Sequence, residues 1–551
     1  MRTHLLPSFA LASALLALTS CSTPAPLTDA GNVDDAGTND ASDLDAFSRP
    51  APMVTVANGT IRGAQGTGYR AFLGIPYAAP PVGDLRLRPP VAAAPWTSTL
   101  NATHRPHACA QNLEGVAYGQ EDCLYLNVHT PDPVPANAPV MIWIHGGAFV
   151  LGEGAQTDGG TYGDLLARDH GVIVVSMNYR LGQLGFLAHP ALDTESADHV
   201  SGNYGFLDQI AAMQWVHDNI AAFGGDPANV TLFGESAGGM SVCGHLTSTL
   251  SHGLFQRAII ESGPCGGSMQ TNAQAEAQGV HFATSLGCTS GDIAACMRAA
   301  SASTVINTLG SSPAIFSTDP MYANWGPTVD GHVFATDWIT AMETGHAANV
   351  PIMIGWNQDE GRLFIALAER NGDPPITDAN YRSTVATFVG DANADAVLAR
   401  YPSSAFGGDA RLAASRAMGD AGLACPTRAA AVALRAAGNS VHTYFFTYPH
   451  AHFILGGSFP LGAFHSAEIQ YVFGHSMGGT FDAEGMGLFA AMSGYWARFA
   501  SQSGDPNGAS AVAWPAYDAA GTRIVLDATV TTNTDDYAAT CAFWDGIPLP
   551  R

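Results

Sequence analysis

The residues that could do chemistry begin at Gly234-Glu235-Ser236-Ala237-Gly238, a G-x-S-x-G pattern that directly follows Val230-Thr231-Leu232-Phe233. The β-branched and large apolar run predicts a short buried strand, and the small residues after the serine predict a helix. A serine between glycines on a strand–turn–helix junction is lifted to the rim of a sheet, where its hydroxyl can attack an acyl carbon. That hydroxyl is weak until a base takes its proton and an acid orients the base. For a serine on such an elbow the order along the chain is serine, acid, histidine. Residues 350–355 predict another buried strand, and Asn357-Gln358-Asp359-Glu360-Gly361 the turn after it, so Asp359 and Glu360 are the candidate acids. Residues 441–448 predict a late strand. The Gly462-Ala463-Phe464-His465 loop beyond it offers His465 as the base, with His450 and His452 nearby. A second copy of the pattern, Gly474-His475-Ser476-Met477-Gly478, lacks a buried strand leading into it, and no His follows residue 475. Ser476 is therefore read as a loop serine.

Acyl transfer also needs backbone N–H groups aimed at the developing oxyanion. One comes from the residue after the nucleophile, Ala237. The others are expected from Gly147 and Ala148 in His145-Gly146-Gly147-Ala148-Phe149, which follows the apolar strand 140–144. All 22 basic residues are Arg, which removes every Ser-Lys dyad and Schiff-base lysine. Nothing matches H-E-x-x-H and the cysteines lack zinc spacing, so neither metal nor cofactor is expected. A net charge of −25 opposes nucleic-acid binding.

These residues need a scaffold. The 551-residue chain is 47% hydrophobic, enough for a large core. Buried strands alternate with helical stretches such as 208–219, which implies an α/β fold with a mostly parallel sheet and helices on both faces. Residues 54–56 and 59–63 predict a hairpin at its start. Before it, residues 1–20 read as an export signal, with Arg2 ahead of the apolar run 5–18. Leu18-Thr19-Ser20-Cys21 fits a lipobox, so lipidation is expected at Cys21. Residues 21–50, rich in Asp, Ala, Gly and Thr, read as an acidic flexible tether, and 51–551 as the folded domain. The expected location is the bacterial cell envelope, on its periplasmic or surface side, the alternative being a secreted protein; membrane contact is expected only through the N-terminal lipid.

Glu121-Asp122-Cys123-Leu124-Tyr125-Leu126-Asn127 and Phe233-Gly234-Glu235-Ser236-Ala237-Gly238 resemble the two most typical stretches of the type-B carboxylesterases. Matching motifs run over residues 54–543. The resemblance implies a single large α/β-hydrolase domain and a serine carboxylesterase. Its triad would be Ser236, Glu360 (from its Asp-Glu-Gly context) and His465. The substrate would be a small-molecule ester with a short to medium acyl chain. Where this chain has Ala148 the family usually has a third glycine, and the extra methyl is expected to disfavour bulky alcohol groups.

Of nine cysteines, eight remain if Cys21 carries lipid. The resemblance implies Cys109–Cys123, Cys288–Cys296 and Cys425–Cys541. Cys243 and Cys265 lie on elements that should be neighbours and are expected to form a fourth bridge, the alternative being two buried thiols. The loop between Cys109 and Cys123 is short and has no Trp, which argues against a cholinesterase. Two other readings remain: a narrow-specificity esterase or lipase of the same family, or a non-catalytic binding protein like the neuroligin branch. The latter lacks the nucleophile that Ser236 supplies here. The natural ester and the oligomeric state are not readable from the residues.

Overall fold

The computed structural model describes residues 50–548 except 114, 157–159, 268, 310–324, 450–458, 509–511 and 535–536. Cys21, the segments 1–20 and 21–49, and the histidines at 450 and 452 lie outside the described residues.

An 11-stranded sheet organises the chain. Its strands are β1 (Ala64–Gly66), β2 (Tyr69–Pro76), β3 (Tyr125–Pro131), β4 (Ala138–Ile144), β5 (Ile173–Met177) and β6 (Gly225–Glu235). They continue as β7 (Arg257–Glu261), β8 (Ile352–Asn357), β9 (Val441–Phe446), β10 (Arg523–Leu526) and β11 (Thr531–Asn533). The spatial order is β11-β10-β9-β8-β7-β6-β4-β5-β3-β2-β1. Strands β4 to β10 run parallel, and the antiparallel pairings lie toward the two edges. Met53–Val56 and Gly59–Arg62 form the expected hairpin, outside this sheet.

Successive side chains of a strand point to opposite faces, and here each face builds its own core. Val140, Ile142 and Ile144 of β4 pack on one side, while Met141 and Trp143 pack on the other. Helices α1 (Asp164–His170) and α2 (Tyr204–Asn219) follow β4 and β5, and α3 (Ala237–Thr247) follows β6. Val242, Cys243 and Leu246 of α3 join the first core. Helices α4 (Arg362–Arg370), α5 (Ala410–Gly419) and α6 (Cys425–Ala436) come between β8 and β9. Helix α7 (Ala483–Ser501) puts Leu488, Met492 and Trp496 into the second core, and α8 (Tyr537–Asp545) ends the fold. Strands with both faces covered need continuous apolar runs rather than alternation. Residues 140–144 and 230–233 are such runs.

Among the described residues four disulfides form: Cys109–Cys123, Cys243–Cys265, Cys288–Cys296 and Cys425–Cys541. The second joins α3 to the segment after β7, so the residues at 243 and 265 are bonded rather than free. Such a set belongs to an oxidising compartment, extracellular or periplasmic. Among the described residues no helix is long and apolar enough to cross a membrane.

Candidate active site

Parallel register brings the carboxyl ends of the central strands together: Gly234 lies opposite Ile144, and Glu235 opposite Glu261. Functional groups on open α/β sheets collect at such an edge. Ser236 occupies the junction of β6 and α3 with φ 56° and ψ −122°, a strained conformation for an L-residue. Close packing enforces it. A Cβ on Gly234 would come within 2.6 Å of the Gly238 carbonyl carbon, and one on Gly238 within 2.0 Å of the Ile144 oxygen. The elbow is thus pressed onto the end of β4, where only glycine fits. The Ser236 amide donates to the Glu261 carbonyl at 2.9 Å, which pins the turn to β7. Ala237 begins α3, so its N–H has no acceptor within the helix and lies at the positive end of the helix dipole.

Strand β4 runs into a second tight turn, with Gly147 at φ 105°, Ala148 at 53° and Phe149 at 62°. The Gly147 carbonyl accepts the amides of Val150 and Leu151, each at 3.0 Å. Among the described residues the Gly147 and Ala148 amides donate to no backbone carbonyl. His145 stacks on Tyr179 with ring centroids 4.4 Å apart, and the Tyr179 hydroxyl donates to the His145 carbonyl at 2.8 Å. Burial pushes the His145 pKa down to about 4, so this ring is a neutral wall that steadies the turn.

The acid turn follows β8. Glu360 Oε1 accepts the Ser262 hydroxyl and the Asn357 amide, both at 2.7 Å, and Oε2 lies 2.7 Å from His465 Nδ1. Both carboxylate oxygens are therefore held, and the ring orientation follows from them. His465 Nε2 reaches the elbow, 3.2 Å from Glu235 Oε1. The angle there does not make a hydrogen bond, so this is an ion contact. The Ser236 hydroxyl makes no hydrogen bond among the described residues. In acyl-transfer sites that bond often tightens only once substrate aligns the groups. Phe364 packs on the imidazole with ring centroids 5.2 Å apart.

Three further buried carboxyls crowd this edge. Burial raises Glu235 to about 8 and Glu468 to about 7, and holds Glu261 well above the carboxylate range. Glu468 accepts the Asn357 side-chain amide, and Glu261 accepts the Trp496 indole N–H at 2.9 Å. Burial would lower His465, but Glu235, Glu360 and Glu468 outweigh it and bring the ring to about 9. Imidazolium is favoured, and Glu235 holds a proton more readily than a solvated carboxyl.

Ser236, Glu360 and His465 thus converge on one edge, with the turn at Gly147 and Ala148 beside them. Asp359, the alternative acid, points instead to Arg362 and the histidine loop. Ser476 follows the short helix Ile469–Phe473 rather than a strand, and the neighbouring His475 pairs with Asp164 at 2.6 Å. Ser262, Glu468 and Asn357 escape a motif reading. Only their places signal them: Ser262 just past a strand end, Glu468 at the end of the turn that begins at His465, and Asn357 at the end of β8. Among the described residues no group of His, Cys, Asp or Glu could hold a metal ion.

The description of the carboxylesterase family matches residues 50–544. The chain is 36% identical to a fumonisin B1 esterase of Sphingopyxis macrogoltabida over 483 residues, 84% of each protein. A solved structure named PNB esterase superposes with a TM-score of 0.76 at 32% identity, covering 90% of this chain and 100% of that one. With its elbow, its mixed sheet and these relatives, the chain belongs to the carboxylesterase family and is a serine carboxylic ester hydrolase on an α/β-hydrolase fold.

Proposed function

We propose that Ser236 is the nucleophile, His465 the general base and Glu360 the acid that orients it. The amides of Gly147, Ala148 and Ala237 form the oxyanion hole. The observation that carries this reading is His465, clamped to Glu360 at 2.7 Å on one side and facing the residue next to Ser236 on the other. His465 takes the Ser236 proton as the oxygen adds to the ester carbonyl. The oxyanion collapses, and the alcohol leaves with the proton from His465. Water then attacks the acyl-enzyme by the same route, releasing the carboxylic acid and restoring the serine. Glu360 orients the ring and stabilises the imidazolium.

The substrates are carboxylic esters with short to medium acyl chains. The test is turnover of para-nitrophenyl esters against acyl length, with Ser236→Ala as control. An optimum at long chains with interfacial activation makes the enzyme a lipase, and no turnover at any length leaves a binding protein. A narrower reading, toward esters of the fumonisin type, is favoured by the 36% identity to a fumonisin B1 esterase. Release of acid from fumonisin B1 faster than from simple aryl esters distinguishes it. We further place the domain in the cell envelope, on its periplasmic or surface side, held by lipid at Cys21 through the acidic tether 21–50. Globomycin-sensitive processing tests that anchor.

Two substitutions test the site's finer features. Ala148 sits at φ 53°, where an alanine pays about 1 kcal/mol that glycine does not. Ala148→Gly is expected to stabilise the turn and to raise turnover of tert-butyl esters more than of primary esters. Equal changes on both would contradict the proposed narrowing of the pocket. Ionised Glu235 stabilises imidazolium, and His465 must be neutral to act as base. Glu235→Gln therefore lowers the His465 pKa and moves the acid limb of kcat/KM to lower pH. A limb that stays put or moves up contradicts the coupling.

A further inference from the structure

Asp359 stands next to the proposed acid, and its contacts run to the histidine loop. Its amide donates to the Ala463 carbonyl at 2.9 Å, and the Ala463 amide donates back to Asp359 Oδ2 at 3.1 Å. This pairing sets Asp359 beside Phe464, the residue before His465. The other oxygen, Oδ1, lies 2.9 Å from Arg362 and 3.6 Å from Arg416. Those cations come from α4 and α5, so the carboxylate is braced from two helices. Arg416 in turn donates to the Tyr537 hydroxyl at 2.9 Å, on the helix that Cys541 ties to Cys425. The fit is close: Gly462 has φ +62°, and a Cβ there would lie 2.2 Å from Asp359 Oδ2.

We propose that Asp359 is a positioning residue for ester hydrolysis, a two-point clamp that holds the histidine loop against the acid turn. It acts through the Glu360–His465 contact and rests on the assignment of those two residues as acid and base. The carboxylate satisfies the Ala463 amide and is fixed by two cations, so the loop carrying His465 cannot drift from Glu360. A drift of about 1 Å at such a site costs on the order of 100-fold in rate.

The experiment compares Asp359→Ala, Asp359→Asn and Asp359→Glu with His465→Ala on a para-nitrophenyl ester. Active-site titration sets the concentration of competent enzyme. Asn keeps an oxygen for the Ala463 amide but loses the charge; Ala loses both; Glu keeps the charge but displaces the oxygens by a methylene. The expected result is a kcat about 10- to 100-fold lower in Asp359→Ala, with KM within about threefold. Asp359→Asn should keep kcat within about fivefold of the parent. The acid limb of the pH profile should fall in Asp359→Ala, because a looser Glu360 stabilises imidazolium less. Should Asp359→Ala not fold, Asp359→Glu carries the test with the same predicted loss. Parental kcat per active site and an unmoved acid limb in the Ala or Glu variant overturn the clamp, including when the melting point drops. Activity surviving in His465→Ala overturns instead the assignment of the base on which the clamp rests.

Discussion

Ser236→Ala is expected to lower kcat by roughly 10⁴- to 10⁶-fold on any ester the parent hydrolyses, with KM little changed. The size follows from what is lost: without the oxygen no acyl-enzyme forms, and only binding and oxyanion stabilisation remain. The same argument predicts grossly non-additive effects. His465→Ala added to Ser236→Ala should cost almost nothing further, because the proposed base and nucleophile act as one unit. Folding should be nearly indifferent to the serine change. The Ser236 hydroxyl makes no hydrogen bond among the described residues, so its removal leaves no buried group without a partner. Stability should stay within about 0.5 kcal/mol of the parent. Steady-state rates with matched thermal unfolding check both halves. A rate within tenfold of the parent would assign the chemistry elsewhere.

Gly238→Ala carries the second large effect, and here the loss is structural first. The new Cβ would lie 2.0 Å from the Ile144 oxygen and 2.8 Å from its carbonyl carbon. Both are backbone atoms of a central strand, so no side chain can turn aside to relieve the overlap. Overpacking of this kind costs about 1–3 kcal/mol where neighbours can adjust, and this site should reach the upper end. Relief means moving α3 off β4, which shifts the Ser236 oxygen and the Ala237 amide together. Activity should therefore fall about 100-fold beyond the loss of folded protein. Gly487→Ala is the matched control. Gly487 lies in α7 with open space where its Cβ would go, and alanine there should be neutral or stabilising by about 0.5–1 kcal/mol. Denaturation midpoints and rates per active site separate the two variants. Equal behaviour at positions 238 and 487 would mean that the elbow is not pressed onto β4.

The contrast between these glycines marks what the residues alone disclose. The apolar run 230–233 and the small residues after Ser236 are local, and local patterns predicted the strand, the turn and the helix. Candidate roles for His465 and Glu360 could be read from chain order and short motifs: Glu360 stands just past a predictable strand, and His465 lies beyond the next one. The reason Gly238 must be glycine lies 94 residues earlier in sequence, at the Ile144 carbonyl. No periodicity reports that contact. The same holds for Glu261 and Trp496, which meet across 235 residues to bury a carboxyl beneath the elbow. Asp359 shows a different failure. Beside Glu360 it reads as a competitor for one role, whereas a one-residue step along the turn aims its side chain at the histidine loop. Cys243 and Cys265 lie between these cases: neighbouring elements suggested the bridge, and their distance in space decided it.

Covalent trapping tests the central claim most directly. The parent enzyme is inactivated with an aryl phosphonate ester, digested, and the modified peptide is sequenced by mass spectrometry. The account predicts one phosphonyl group per inactivated chain, on Ser236, and none in Ser236→Ala. Stoichiometric label on Ser476 or any other residue, or full inactivation with Ser236 unmodified, would contradict it.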